Sequence, residues 1–351
     1  MTKIESHRHR PEYYQGCLLG GAAGDALGAP VEFMPLDQIL RQFGPKGITA
    51  YAPVFGRVGA ITDDTQMTLF TAEAMLRAVT RGHHKGICYP PSMAYYSYQR
   101  WLMTQGIDNE RADKSGWLIN VKGLYSQRAP GNSCLSALKS DQQGSTKEPI
   151  NNSKGCGGVM RIAPVGLVPH ILDIFDMGCE TAAITHGHPT GYLAAGCLAQ
   201  IIRGIIDGLD LVPAIEAAVD ILATKKHHEE CLVAINRASA AWRHHPPIFA
   251  TVESLGQGWV AEEALAIGIY CALAAENDFE KGLILAVNHG GDSDSTGAIA
   301  GNILGALLGV SAIPAKLLDQ LELRETITQI ANDLYTGFED TDEWGDRYPG
   351  Y

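Results

Sequence analysis

The chain contains no Gly-Lys dipeptide, no Cys-x-x-Cys pair and no His-Glu-x-x-His stretch. These absences exclude a Walker-type phosphate loop, the common zinc-knuckle spacing and the zinc-protease helix. Aromatic residues make up only 7% of the sequence, and no succession of alternating apolar and polar residues reads as strands. Basic residues are outnumbered, 27 Lys and Arg against 39 Asp and Glu, giving a formal net charge of −12. A broad phosphate-binding face is thereby excluded, and nucleic acid is not an expected partner. The opening "MTKIESHRHRPEYY" has no apolar core of the secretory type, so the cytoplasm is the expected compartment. Most of the eight cysteines fall inside apolar periodic stretches, where a free thiol acts as a small hydrophobe; a reducing environment suits them. The longest apolar run, "TGAIAGNILGALLGVSAI" at 296–313, is interrupted by Asn302 and several glycines and reads as a buried core helix rather than a membrane span.

What the chain does have is helical periodicity. Stretches 63–82, 190–208 and 261–290 carry apolar residues at three- and four-residue spacing and are opened by Asp, Thr or Pro or closed by Gly. The expected fold is all-α. Two segments, "GCLLGGAAGDALGAP" (16–30) and "GNILGALLGVSAIP" (301–314), place Gly and Ala at helical intervals, a pattern that lets two helix axes approach closely. Residues 128–158 read as a long surface loop around one short helix, and residues 335–351 as an irregular acidic tail.

Two helix starts concentrate carboxylates. "HGGDSDSTGAIAG" (289–301) is richer in Asp and Ser than a cap needs, although Asp294 or Ser295 could serve as one. It begins like a calcium loop, but Ile303 stands at the twelfth position where a bidentate Glu is required. A serine-nucleophile reading of "GDS" lacks a base, since no histidine follows His289. "GAITDDTQMTLF" (59–70) sets Thr62, Asp63 and Asp64 at a second helix start, where a capping box of Asp63 with Gln66 is the structural alternative. Together the two starts form an oxygen-only donor set suited to hard cations, Mg²⁺ above Zn²⁺. The paired histidines at 83–84, 227–228 and 244–245 lie in polar segments without zinc spacing.

The glycine-rich stretch "NNSKGCGGVMRIAPVG" (151–166) is either a plain turn or an anion cradle, in which Ser153, Gly155, Cys156, Gly157 and Gly158 aim N–H groups at a diphosphate. His188, before Pro189, is either a helix cap or a ligand contact. "GQGWVA" (256–261) matches a dinucleotide fingerprint in letters only, because no strand precedes it.

Taken in order, "GCLLGGAAGDALGAPVEF", "ITDDTQMTLFTAEAML", "GGVMRIAPVGL", "THGHPTGYLAAG", "SLGQGWVAEEALAIGIYCAL" and "NHGGDSDSTGAIAGNILGALLG" resemble the ADP-ribosylglycohydrolases from about residue 14 to about residue 335. The resemblance implies a single compact, orthogonal helical domain spanning 1–351, with a centre of two Mg²⁺ ions for which Mn²⁺ can substitute. It further implies that Thr62, Asp63 and Asp64 hold one ion, Asp292 the other, and that Asp294 bridges them, with Ser295 in place of the family's usual Thr. Glu32 falls where family members carry a cleft glutamate suited to acid–base work. The usual Asn-Gly-Ala-Ala before Met-Arg is here "GCGGVMR", a departure in the substrate loop. The implied activity is removal of ADP-ribose from a modified protein, with arginine as the expected acceptor. Alternatives are another ADP-ribosyl bond, in O-acetyl-ADP-ribose or a serine or nucleobase adduct, or a binding role toward a cognate ADP-ribosyltransferase. A membrane partner is not expected.

Overall fold

The expected all-α architecture is what the chain adopts. A computed structural model describes residues 6–109, 112–140, 142–169 and 173–350, and among these no strand is present, only isolated bridges such as Gly155 with Val260. The helices run α1 (Pro11–Gly28), α2 (Leu36–Phe43), α3 (Asp63–Lys85), α4 (Pro90–Thr104), α5 (Asn132–Lys139) and α6 (Ala163–Leu167). Next come α7 (Ile174–Ala183), α8 (Pro189–Ile206), α9 (Leu211–Leu222), α10 (Glu229–His244), α11 (Phe249–Glu253) and α12 (Ala261–Ala274). The chain closes with α13 (Phe279–Val287), α14 (Ser293–Leu308), α15 (Ala315–Gln320), α16 (Arg324–Thr336) and α17 (Asp342–Arg347). Among the described residues, no helix is long and apolar enough to cross a membrane.

The two glycine-patterned segments form the central seam. Helices α1 and α14 run antiparallel with Gly16 against Gly305, Gly20 against Gly301 and Gly24 against Gly297. A Cβ on Gly24 would lie 1.9 Å from the Gly297 carbonyl oxygen, so the axes meet closer than any side chain permits. Both helices are buried almost throughout, with α12 and α13 flanking α14 and α16 flanking α1. This seam brings the end of α1 beside the start of α14, residues some 270 positions apart in the chain.

Two expectations are corrected. The stretch 261–290 is two helices, because Glu276 and Asn277 take left-handed backbone (φ 54 and 66) and Asp278 caps a new start by accepting from the Lys281 N–H at 3.0 Å. The C-terminal stretch is no irregular tail: α17 buries Trp344, whose indole N–H donates to Thr80 Oγ1 (2.9 Å), and the Tyr348 hydroxyl donates to Asp333 (2.6 Å). Tyr351 lies outside the described residues. In residues 128–158 the short helix expected is α5, and Asp141 of that stretch is likewise outside the described residues.

Candidate metal and substrate cleft

The start of α3 is fixed from another helix. Asp25, fully buried near the end of α1, accepts from the Thr62 N–H (3.0 Å), the Thr65 N–H (3.1 Å) and the Thr65 hydroxyl. These bonds consume the orphan N–H groups that a local cap would otherwise take. Thr62 is the N-cap residue, its hydroxyl accepting weakly from the Asp64 N–H at 3.3 Å, so the expected Asp63–Gln66 capping box does not form. The Gln66 side chain instead turns to Trp101, Gln105 and the Ser126 carbonyl. Asp63 and Asp64 are thereby spared from capping, apart from a 3.3 Å bond from the Gly131 N–H to Asp63.

At α14 the same holds. Asp292 occupies the N-cap position without a side-chain cap bond, and its N–H donates to the Gln257 carbonyl at 2.8 Å. Asp292, Asp294 and Glu32 each offer a carboxylate oxygen within 4.8 Å of the others. Glu32 sits on the turn continuing α1, its N–H donating to the Gly28 carbonyl (3.0 Å), while the Cys156 thiol donates to Asp292 at 2.7 Å.

A cavity of about 630 Å³ joins these groups. Glu32, Asp63, Asp64, Asp292, Asp294 and Ser295 line it together with Gly155, Cys156 and Gly157, the 129–131 turn and the first residues of α5; no Lys or Arg is among its lining residues. Five carboxylates thus crowd one wall without a balancing cation. Burial, and then the charge of Asp294, pushes Asp63, Asp64 and Asp292 well above the usual carboxylate range; burial also raises Asp294. Glu32 is pushed to about 11 by burial, Asp294, Asp292 and Asp63, and Asp25 to about 7 by burial and Asp294. Asp64 Oδ1 is buried with no hydrogen-bond partner among the described residues. An unpaired carboxylate oxygen inside an all-oxygen acidic cluster is the donor chemistry of a hard divalent cation.

Not every expected residue reaches the cavity. Thr62 is buried behind the carboxylates, Gly158 is buried under the loop, and Ser153 bonds Ser133 (2.7 Å) outside the lining. His188 is displaced: its Nδ1 accepts from the Thr190 N–H at 3.1 Å as the cap of α8, and it lies in a separate surface recess near Glu230. The structure therefore realises the cap alternative there. The histidine that lines the cleft is His186, two residues earlier. The Thr185 hydroxyl accepts from Arg161 (2.7 Å) and is paired with His186 Nδ1 (2.8 Å), while the Nε2 edge of the ring lies beside Gly155 and Gly157. Burial and the Arg161 charge hold this imidazole neutral, with its pKa lowered to about 3. Asp25, His186, Phe33 and Trp259 are site residues that motif spacing alone does not single out.

A family model described as ADP-ribosylglycohydrolase matches residues 6–343. The chain belongs to the ADP-ribosylglycohydrolase family. It is 27% identical over 314 residues to the ADP-ribosyl-dinitrogen reductase glycohydrolase of Rhodospirillum rubrum, spanning 88% of this chain and 90% of that protein. It is 24% identical to the ADP-ribosylarginine hydrolase Tri1 of Pseudomonas putida strain GB-1, over 94% of this chain and 79% of the relative. A solved chain described as an ADP-ribosylglycohydrolase-related protein complex superposes with a TM-score of 0.68 at 27% identity, covering 94% of this chain and 99% of that one. In this ADP-ribosylglycohydrolase the carboxylate wall and the glycine turn thus face one cavity, built from segments more than a hundred residues apart.

Proposed function

We propose that the chain is a Mg²⁺-dependent hydrolase that removes ADP-ribose from modified protein side chains, with arginine as acceptor. The observation that carries the reading is the wall of five carboxylates, four buried and Glu32 half-buried, with an unpaired Asp64 oxygen, facing a cavity large enough for a nucleotide sugar. Asp63, Asp64, Asp292, Asp294 and Ser295 are the residues that would hold divalent ions, with Thr62, buried behind them, reaching the site only through its contact with Asp64. When bound, such ions supply Lewis acidity and a template for a sugar diol.

The chain's own residues provide the rest. Asp25 holds the start of α3 so that Asp63 and Asp64 face the cleft before any ligand arrives. Glu32, at the same wall, holds or accepts the proton exchanged as water replaces the acceptor nitrogen at the anomeric carbon. Of the glycine turn, the Gly157 N–H is the donor for the diphosphate, with His186 Nε2 beside it; the Cys156 N–H is taken by the Trp259 carbonyl (3.2 Å) and the Gly155 N–H by the Ser153 hydroxyl (3.4 Å), so these two residues line the cavity without offering their N–H groups. These residues act within one domain whose core spans about 14–335. The Pseudomonas putida relative's name, an ADP-ribosylarginine hydrolase, supports arginine over the alternatives.

The test is incubation of the purified chain with ADP-ribosyl-arginine and ADP-ribosyl-serine peptides, with Mg²⁺ and with excess chelator. Release of ADP-ribose from the arginine substrate only with Mg²⁺ is expected; equal release under chelation overturns the metal assignment.

A further inference from the structure

Two large rings stand exposed at the mouth of the cleft. Phe33 is 67% and Trp259 36% exposed, yet they stack on one another with centroids 5.2 Å apart and planes 20° from parallel. Phe33 follows Glu32 directly and takes left-handed backbone, φ 67, a costly choice for a bulky side chain that persists only where the surroundings impose it. Here the imposition is the turn after α1, closed by bonds from the Val31 and Glu32 N–H groups to Gly28 and from the Met34 N–H to Val31. Trp259 sits on the turn of "GQGWVA" (256–261), which matches a dinucleotide fingerprint in letters only. That turn is held from three sides: Gln257 accepts from Asp292 (2.8 Å), Trp259 accepts from Cys156 (3.2 Å), and the Gln257 and Gly258 N–H groups donate to Glu263. Both rings are therefore tethered to the carboxylate wall, Phe33 through Glu32 and Trp259 through Asp292.

We propose that Phe33 and Trp259 form an aromatic clamp at the acceptor side of the scissile bond, a stacked pair whose open ring face receives and selects a planar cation, a guanidinium. The assignment rests on the hydrolysis proposed above. If the bond that breaks lies beside the carboxylates, a ring pair flanking that wall meets the departing group rather than the far end of the nucleotide. Charge points the same way. Five carboxylates line the cavity, an excess of acidic groups, and no Lys or Arg is among the lining residues to offset it. A guanidinium is attracted by that excess and stacks flat on aromatic faces.

The experiment compares wild type with Phe33→Ala, Trp259→Ala and Trp259→Phe, each checked by circular dichroism. Its readouts are kcat/KM on ADP-ribosyl-arginine and on an ADP-ribosyl-serine peptide, and calorimetric affinity for free ADP-ribose, all in Mg²⁺. The clamp predicts a fall of about 5- to 30-fold on the arginine substrate for either Ala variant, the range of a desolvated cation–π contact. The serine substrate and ADP-ribose affinity should be unchanged, and Trp259→Phe should recover most of the loss. An equal fall on both substrates, or weakened ADP-ribose binding in step, overturns the clamp by assigning the rings to general structure or to the adenine. A wild type that prefers the serine substrate overturns the guanidinium assignment while leaving ADP-ribosyl hydrolysis standing. A wild type that neither binds ADP-ribose nor cleaves either substrate overturns the proposed function itself, and the clamp with it.

Discussion

At the carboxylate wall the acidic side chains come from α3, from α14 and from the turn that ends α1, and these starts and ends are locked by the Gly24–Gly297 contact and by Asp25, whereas the opposite side of the cavity is loop. There the glycine turn is tied by single backbone bonds, Cys156 to Trp259 (3.2 Å), Ala261 to Lys154 (2.9 Å) and His188 to Ser153 (3.1 Å). The difference follows from what each side must do. Carboxylates that repel one another scatter unless the backbone holds them, and that wall is built at the end of the close-packed α1–α14 seam. Uncharged N–H donors, the groups proposed for the diphosphate, meet no such repulsion and can sit on a turn. The α1–α14 seam accordingly keeps its glycines in step, Gly16, Gly20 and Gly24 against Gly305, Gly301 and Gly297.

The largest effect expected separates two carboxylates of the wall. Asp294→Asn removes the charge that raises its neighbours and one of the carboxylates proposed to hold the metal, so ADP-ribose binding and turnover should fall together, turnover by about 10³-fold or more if several kcal/mol of charge stabilisation are lost. Glu32→Gln keeps the shape and should lower turnover by about 10²- to 10⁴-fold while ADP-ribose affinity stays. Calorimetry beside a turnover assay distinguishes them; a Glu32→Gln enzyme at the wild-type rate would leave Glu32 no chemical role.

The rigidity contrast is next. Gly24→Ala forces the two central helices apart and should cost about 1–3 kcal/mol, a drop of several degrees in melting temperature. Gly131→Ala, on the loop side, has φ −61 and nothing within 4 Å of a new Cβ, and should melt with wild type. Equal melting of the two variants would dissolve the contrast.

The acidic helix starts, the glycine seam and the helical architecture were legible because each is a local pattern at helical spacing, readable without knowing what it touches. Asp25 was not, since its partners Thr62 and Thr65 lie some forty residues on and only the fold brings them together. His186 and His188 are two residues apart in "THGHP"; which one faces the ligand depends on where α8 begins, and Pro189 at its first position makes His188 the cap. The Phe33–Trp259 pair joins segments 226 residues apart and has no sequence signature. The break at Glu276–Asn277 was hidden because apolar periodicity resumes beyond it.

The smallest effect expected is a pH dependence on the loop side. His186 is neutral in the fold down to about pH 3, whereas the unfolded chain protonates it near 6.5. The unfolded state thus binds more protons below that value, and stability falls as the pH drops from about 6.5 toward 3. The raised carboxylates act in the opposite sense. The melting temperature of His186→Gln should therefore decline less than that of wild type between pH 7 and pH 5, and parallel declines would mean that the imidazole is not held neutral.

The central claim is that the carboxylate wall recognises the sugar only through divalent cations it holds. Its most direct test is calorimetric titration of the wild-type chain with free ADP-ribose, once in Mg²⁺ and once in excess chelator. The account predicts saturable binding in Mg²⁺ and at least about tenfold weaker binding under chelation, a difference of about 1.4 kcal/mol. Equal affinity in the two buffers would contradict it.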